Sequence, residues 1–104
     1  MPKIVCVTAC PTGIAHTYIA AEMLAHTGKK MGYLMKVETN GAIGVENKLS
    51  EIDIKEAIGV IIASDIALDL SRFQGKHIVE TTTQEVIKTP EKWIQAIIKM
   101  NQGL

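Results

Sequence analysis

A short apolar run that ends at a cysteine, followed by a loop and a helix, most constrains the fold of this chain. Lys3 to Thr8 is rich in β-branched residues, as is typical of a strand buried on both faces of a parallel sheet. Pro11 and Gly13 break this run, and from Ile14 to about Met31 the chain lacks proline and is rich in Ala, Leu and Met. The pattern predicts a strand, a tight loop that begins at Cys10, and a helix of about four turns.

Strand-like and helix-like segments alternate through the rest of the chain. We predict strands at Tyr33 to Thr39, Val60 to Ala63 and Lys76 to Glu80, and helices from Ser50 to near Gly59 and after Thr89-Pro90. Thr81 to Glu85 is a further helix entry. This alternation predicts right-handed crossovers and an α/β fold. The expected architecture is an open four-stranded parallel sheet with helices on both faces and a phosphate-binding loop after strand 1.

Composition excludes several classes of function. The chain carries 11 basic and 11 acidic side chains, so the formal net charge is zero and no basic stripe indicates a nucleic-acid partner. No apolar run approaches the roughly twenty residues that span a bilayer, and the N-terminus does not resemble a signal peptide. We therefore expect one cytoplasmic domain over residues 1–104 that neither binds nucleic acid nor inserts into a membrane.

The two cysteines are expected to be free thiols with different roles. Three strand residues separate Cys6 from Cys10, so their Cα atoms lie about 13 Å apart in an extended chain, which is too far for a disulfide. Cys6 alternates with Ile4 and Thr8 and is typical of a small buried hydrophobe. Cys10 stands instead at the start of the loop.

A thiol at the start of a helix favours a thiolate and any phosphoryl group attached to it, because free backbone N–H groups and the helix dipole attract anions there. The alternative is a cysteine that merely belongs to the core. The residues after Cys10 favour the first interpretation, since proline presets a turn, glycine permits close approach to a ligand, and threonine hydroxyls donate hydrogen bonds. The predicted phosphate-binding loop comprises Pro11, Thr12, Gly13, Ile14, Ala15, His16 and Thr17.

A small cysteine phosphatase is an alternative enzyme class. In those enzymes the sixth residue after the cysteine is an arginine that grips the phosphate, whereas this chain has His16 at that position. His16 either contacts the phosphate or is polar surface of the helix. Without a fixed guanidinium, and with no nearby Asp as an obvious general acid, carriage of a phosphoryl group is favoured over hydrolysis.

Three loops are expected to meet at one edge of the sheet, beyond the carboxyl ends of the strands. One begins at Cys10, and the others follow the second and third strands. The Asn-Gly pair of the second loop either turns the chain or flanks a phosphorylated cysteine. The charged residues of the third either form a structural ion pair and helix cap or contact a partner. The predicted rim residues are Asn40, Gly41, Asp65, Asp69 and Arg72.

Three blocks of sequence carry a resemblance to a known family. They are Cys10 to Tyr18 with Ala20-Ala21-Glu22, Val37 to Gly41 with Gly44 and Glu46-Asn47, and Ala63 to Asp65 with Asp69 to Phe73. Together they cover nearly the whole chain and resemble the fructose-family enzyme IIB domains of the bacterial phosphoenolpyruvate-dependent sugar phosphotransferase system. Small departures at Ile19, Met23 and Asn40 leave the thiol untouched.

The resemblance implies that Cys10 takes a phosphoryl group from a phosphohistidine on an enzyme IIA partner. Cys10 then passes it to a sugar, fructose by this likeness, that a membrane enzyme IIC holds. No metal and no organic cofactor is expected, because the three histidines are too scattered for a metal site. Partners are expected to dock on apolar loop residues of the rim. These are Ile14, Ile43, Ile66 and Leu68.

Two other classes remain as alternatives. One is a cysteine phosphatase or arsenate-reductase-like enzyme, which would turn over a model aryl phosphate. The other is a regulatory module that senses phosphate or redox state through Cys10, which as a redox sensor would need a second reactive thiol within reach.

Overall fold

The computed structural model of the protein describes residues 1–11 and 15–103. Strands and helices alternate along the chain, as the sequence predicts. The strands are β1 (Lys3–Ala9), β2 (Leu34–Gly41), β3 (Gly44–Glu46), β4 (Ala57–Ser64) and β5 (Ile78–Thr81). The α-helices are α1 (His16–Lys30), α2 (Glu51–Glu56), α3 (Thr83–Lys88) and α4 (Pro90–Asn101), and a single 3-10 turn spans Ser71–Phe73.

The strands form one sheet in the order β3-β2-β1-β4-β5, with β1 at its centre. β1 is parallel to β2 and β4, and β4 is parallel to β5, so the predicted four-stranded parallel sheet is present and the α/β class is confirmed. The predicted strand count was wrong by one, because β3 pairs antiparallel with β2. Gly41 and Gly44 close this hairpin, and the positive φ of 111° at Gly44 is a conformation that glycine adopts freely.

Helices cover both faces of the sheet, as predicted. Ile4 and Cys6 of β1 pack against α1, α3 and α4, in a core that includes Leu24 and Ile97. The intervening β1 residues point to the other face, where Val5 joins a second core formed with α2 and the 3-10 turn. We call these the α1 face and the α2 face of the sheet.

Helix α2 ends earlier than predicted, at Glu56 rather than near Gly59. Its start is as expected, since Ser50 and Asp53 form a capping box in which each side chain accepts the other's backbone N–H. Gly59 lies inside β4. Ile97 packs directly over it, and a Cβ at this position would lie 2.6 Å from Ile97 Cγ2. A close approach of side chain to backbone therefore explains a glycine that looks like a helix stop.

Helix α4 begins at Pro90 as predicted, but the Thr89 side chain does not cap it. The Thr89 hydroxyl donates instead to the Glu85 carbonyl of α3, at 3.3 Å. Thr89 thus helps to end one helix rather than to begin the next.

The amino ends of β1 and β2 are tied to α2 by charged side chains. Lys36 Nζ lies 2.6 Å from Asp53 Oδ2, and Lys3 Nζ lies 3.3 Å from Asp53 Oδ1. The hydrogen bond from Lys36, followed by those from Ser50, holds the pKa of Asp53 well below its ordinary value. This cluster fixes α2 at the edge of the sheet farthest from the Cys10 loop.

Candidate active site

Cys10 follows the last residue of β1 and is only 6% exposed. It continues the alternation of Ile4 and Cys6, which places its side chain on the α1 face. The hydroxyl of Thr17, in the first turn of α1 and fully buried, donates a hydrogen bond to Cys10 Sγ over 2.9 Å. An O–H donor aimed at the sulfur favours the anionic form of a thiol.

The first turn of α1 has a composition that favours an anion. This turn contains no acidic residue, and no side chain caps the helix within the part of the chain that the structure describes. Ala15, at the N-cap, has a φ of 42°, which is unusual for a residue with a Cβ. Pro11 and His16 are exposed, so His16 lies on the helix surface. Thr12, Gly13 and Ile14 lie outside the described residues.

Cys6 has the environment of a core residue. It is fully buried within the sheet, and desolvation strongly raises the pKa of its thiol. Neither cysteine forms a disulfide. Cys10 is therefore the thiol that stands at the loop, whereas Cys6 is held in the protonated, inert form.

Each of the two aspartates predicted at the rim accepts a backbone N–H group with its carboxylate. Asp65 donates its N–H to the carbonyl of Ala9 at 3.0 Å, and its carboxylate accepts from the Thr83 hydroxyl at 2.7 Å and the Thr83 N–H at 3.2 Å. Asp69 Oδ1 accepts the N–H of Ser71 at 2.9 Å, and this bond lowers the pKa of Asp69. Asp65 thus links the residue before Cys10 to the start of α3.

Arg72 pairs with Glu38, a residue that the sequence interpretation did not single out. Its two terminal nitrogens donate to the two carboxylate oxygens of Glu38 over 2.9 and 2.5 Å. Glu38 is 3% exposed and also accepts hydrogen bonds from the Leu49 N–H, at 2.9 Å, and from Asn40. The sequence does indicate that Glu38 has a partner. Glu38 lies in a strand that neighbours a fully buried strand, and a carboxylate in such a place needs a cation.

The structure therefore divides the predicted site between the two faces of the sheet. The thiol, Thr17 and the start of α1 lie on the α1 face. Glu38 and Arg72 lie on the α2 face, beside Leu49 and Phe73. Gly41 lies at the edge of the sheet, where it pairs with Gly44 at the tip of the hairpin.

The predicted docking residues differ in exposure. Ile43, in the hairpin turn, is 81% exposed, and Ile66 is 42% exposed. Leu68 is partly buried against the core of the α2 face, and Ile14 lies outside the described residues. Among the described members of this set, Ile43 of the hairpin is thus the most exposed.

Residues 1–11 and 15–103 contain no group of three or more His, Cys, Asp or Glu side chains placed to hold a metal ion. None of the helices in this part of the chain is long and apolar enough to cross a bilayer.

The model of one protein family matches residues 5–96, which is most of the chain. That family is described as the lactose/cellobiose-specific IIB subunit of the PTS, the sugar phosphotransferase system. The chain belongs to this IIB family.

Curated relatives of this IIB chain are named as fructose-specific or fructose-like components of the PTS. The fructose-like EIIB component 2 of Escherichia coli K12 is 47% identical over 89 residues, which are 85% of this chain and 84% of the relative. The fructose-specific EIIABC component of Bacillus subtilis is 42% identical over 100 residues, or 96% of this chain, but the chain spans only 15% of its length. The chain is a fructose-type IIB component of the phosphotransferase system.

Solved structures of IIB domains have the same fold. A domain of the fructose-specific IIABC component of Borrelia burgdorferi superposes with a TM-score of 0.90 at 48% identity, over 92% of each chain. A thioredoxin-dependent arsenate reductase of Corynebacterium glutamicum reaches a TM-score of 0.52 at 17% identity, over 98% of this chain and 62% of that one. The second likeness is one of fold alone.

Proposed function

We propose that Cys10 is the phosphoryl carrier of this IIB chain. The observation that carries the proposal is the 2.9 Å hydrogen bond from Thr17 to Cys10 Sγ, at a helix start without an acidic side chain. The Thr17 hydroxyl and the N-terminus of α1 both favour negative charge at the Cys10 side chain. That charge lies first on the thiolate and then on the phosphoryl group. The loop from Pro11 to Thr17 supplies the remaining contacts to the phosphate.

The transfer has two steps. The Cys10 thiolate attacks the phosphorus of a phosphohistidine on enzyme IIA, so that the P–N bond breaks, an S–P bond forms, and the imidazole leaves and takes up a proton. A sugar hydroxyl then attacks the phosphorus, the S–P bond breaks, and the thiolate is restored while the hydroxyl proton passes to a base. No metal or organic cofactor takes part in either step.

The partners follow from these two steps. The donor is a phosphorylated enzyme IIA, and the acceptor is a sugar held by a membrane enzyme IIC. Fructose is the sugar, in line with the names of the relatives, although the family description names lactose and cellobiose. Residues 1–104 act as one cytoplasmic IIB domain that does not itself enter the membrane. Among the rim residues, Asn40, Gly41, Asp65, Asp69 and Arg72 shape the surface that partners meet.

The other two classes are disfavoured by particular residues. His16 stands where a cysteine phosphatase has its phosphate-gripping arginine, and Arg72 is bound to Glu38 on the opposite face. A dithiol redox sensor would need the only other cysteine, Cys6, whose thiol is buried and protonated.

Phosphorylation in the test tube tests the proposal. The chain is incubated with phosphoenolpyruvate, the general phosphotransferase components and an active enzyme IIA, and its intact mass is followed. We expect one added phosphoryl group, located by peptide mapping on the Cys10 peptide, that iodine and acid remove. A chain that stays unmodified while enzyme IIA is phosphorylated, or that hydrolyses an aryl phosphate, contradicts the proposal.

Replacing Thr17 by valine tests the hydroxyl separately from the fold. Valine has nearly the same shape but no donor, so we expect alkylation of Cys10 by iodoacetamide at neutral pH to slow about tenfold. The pH at which alkylation reaches half its maximal rate should move upward. Thr17→Ser keeps the donor and should behave like wild type. Equal alkylation profiles for Val and Ser would show that the hydroxyl does not act on the sulfur.

A further inference from the structure

An ion pair with a buried carboxylate ties three segments of the chain together on the α2 face. Arg72 holds both carboxylate oxygens of Glu38, and the Leu49 N–H donates to one of them. The Arg72 guanidinium also lies over the ring of Phe73, 4.7 Å from its centroid. The contacts join β2, the segment before α2, and the 3-10 turn that follows β4.

Stability alone does not explain a charged pair at this place. Burying a carboxylate carries a large desolvation cost, and well-packed apolar residues of similar volume often stabilise a fold equally well or better. A bidentate pair differs in fixing direction as well as distance. Glu38 and Arg72 therefore set the orientation of the Ser71–Phe73 turn relative to the sheet.

The pair lies beside the end of β1, and so beside Cys10. Glu38 is in register with Val7 on the neighbouring strand, and Asn40, which also hydrogen-bonds Glu38, is in register with Ala9. Ala9 precedes Cys10 and accepts the N–H of Asp65, where the segment leading to Arg72 begins. A shift of that segment would thus change the surface next to the thiol without reaching the Thr17 contact.

The outer side of the pair is an open, mixed surface. Arg72 borders a shallow cavity of about 380 Å³, and its side chain is 34% exposed. One apolar hairpin residue lines it, Val45, which is 53% exposed. The other residues around the cavity are Asn40, Lys48, Asp69 and Ser71. A surface with fixed polar groups and an exposed apolar edge is more typical of a site that docks a protein than of a site that encloses a small molecule.

We propose that Glu38 and Arg72 are a positioning pair for recognition of phosphorylated enzyme IIA. The pair fixes the Arg72 cation and the Ser71–Phe73 turn where the donor protein docks, and it leaves the phosphoryl chemistry to Cys10 and Thr17 on the other face. The donor must bring its phosphohistidine to Cys10, and the pair lies beside the end of β1 from which Cys10 follows, so a protein docked at the thiol also covers this surface. This inference rests on the proposed function, because it assigns the surface that the donor uses.

Steady-state transfer from phosphorylated enzyme IIA tests the pair. For Glu38→Gln and Arg72→Gln we expect KM for the donor to rise about tenfold, with kcat and the alkylation rate of Cys10 within about twofold of wild type. The double variant should be no worse than the worse single variant, because each change breaks the same contact. Arg72→Lys keeps the charge and should give a smaller rise, and it replaces Arg72→Gln if that variant does not fold.

Lys36→Met is the matched control. Lys36 lies on the same strand and the same face as Glu38, two residues nearer the amino end, and is paired with Asp53 over 2.6 Å. We expect Lys36→Met to lower stability without changing KM for the donor. An equal rise in KM for Lys36→Met, or normal transfer with unchanged KM in the Glu38 and Arg72 variants, overturns this inference alone. A wild-type chain that takes no phosphoryl group from enzyme IIA overturns the proposed function and this inference with it.

Discussion

Cys10→Ser is expected to lose phosphoryl transfer from enzyme IIA by more than about a thousandfold. Serine keeps the size and the hydrogen-bonding capacity of the side chain, but its hydroxyl stays protonated where a thiol can ionise. Cys10 follows the last paired residue of β1, so the substitution leaves the strand pairing of the sheet in place. The loss is measured as the rate at which the intact mass of the chain gains a phosphoryl group.

Cys6→Ala is the control for that experiment. Cys6 lies within β1, on the face to which Cys10 also points, but is fully buried among apolar side chains. We expect this variant to lose about 1 kcal/mol of stability through the small cavity that it creates, and to accept the phosphoryl group at the wild-type rate. Transfer that survives in Cys10→Ser but fails in Cys6→Ala would make Cys6 the carrier and would contradict the proposed function.

The parts of the structure that were predictable from sequence depend on local patterns. The strand from Lys3, the break at Pro11 and the helix after it follow from β-branched content, a ring-constrained residue and helix propensity, all of which act over a few residues. The capping box of Ser50 and Asp53 is likewise a short-range signal. These elements place the thiol at the carboxyl edge of the sheet, so local patterns are enough to identify the candidate nucleophile.

The parts that escaped prediction depend on contacts between distant residues. β3 has only three residues, which is too short for a periodic pattern of apolar residues to predict a strand. It forms because it pairs with β2. Gly59 looks like a helix stop until Ile97 is placed over it. Arg72 and Glu38 are 34 positions apart, and nothing near either residue indicates the other. Asp69, close to Arg72 in sequence, interacts with it only through charge, whereas the bidentate hydrogen bonds go to Glu38.

Arg72→Met is expected to lower the free energy of unfolding by about 3 kcal/mol at pH 7, because it leaves the carboxylate of Glu38 buried without its cation. Burial raises the pKa of Glu38, but the hydrogen bonds from Arg72 and the Leu49 N–H outweigh it and set the pKa below its ordinary value. Glu38 therefore stabilises the wild type above its unfolded pKa of about 4.3, and this contribution is lost as the pH falls through the lower folded value.

The Arg72→Met variant should respond to pH in the opposite sense. With its cation gone, buried Glu38 titrates above its ordinary pKa, so protonation relieves the cost of burial as the pH falls from 7 towards 5. The difference in stability between wild type and variant should therefore shrink over that interval, as measured by urea unfolding with the fluorescence of Trp93, the only tryptophan. In the double variant Glu38→Gln, Arg72→Met no carboxylate remains to be protonated, and the difference should stay constant. A single variant whose stability runs parallel to that of the wild type from pH 7 to 5 would mean that Glu38 is neutral, or hydrated, once Arg72 is removed.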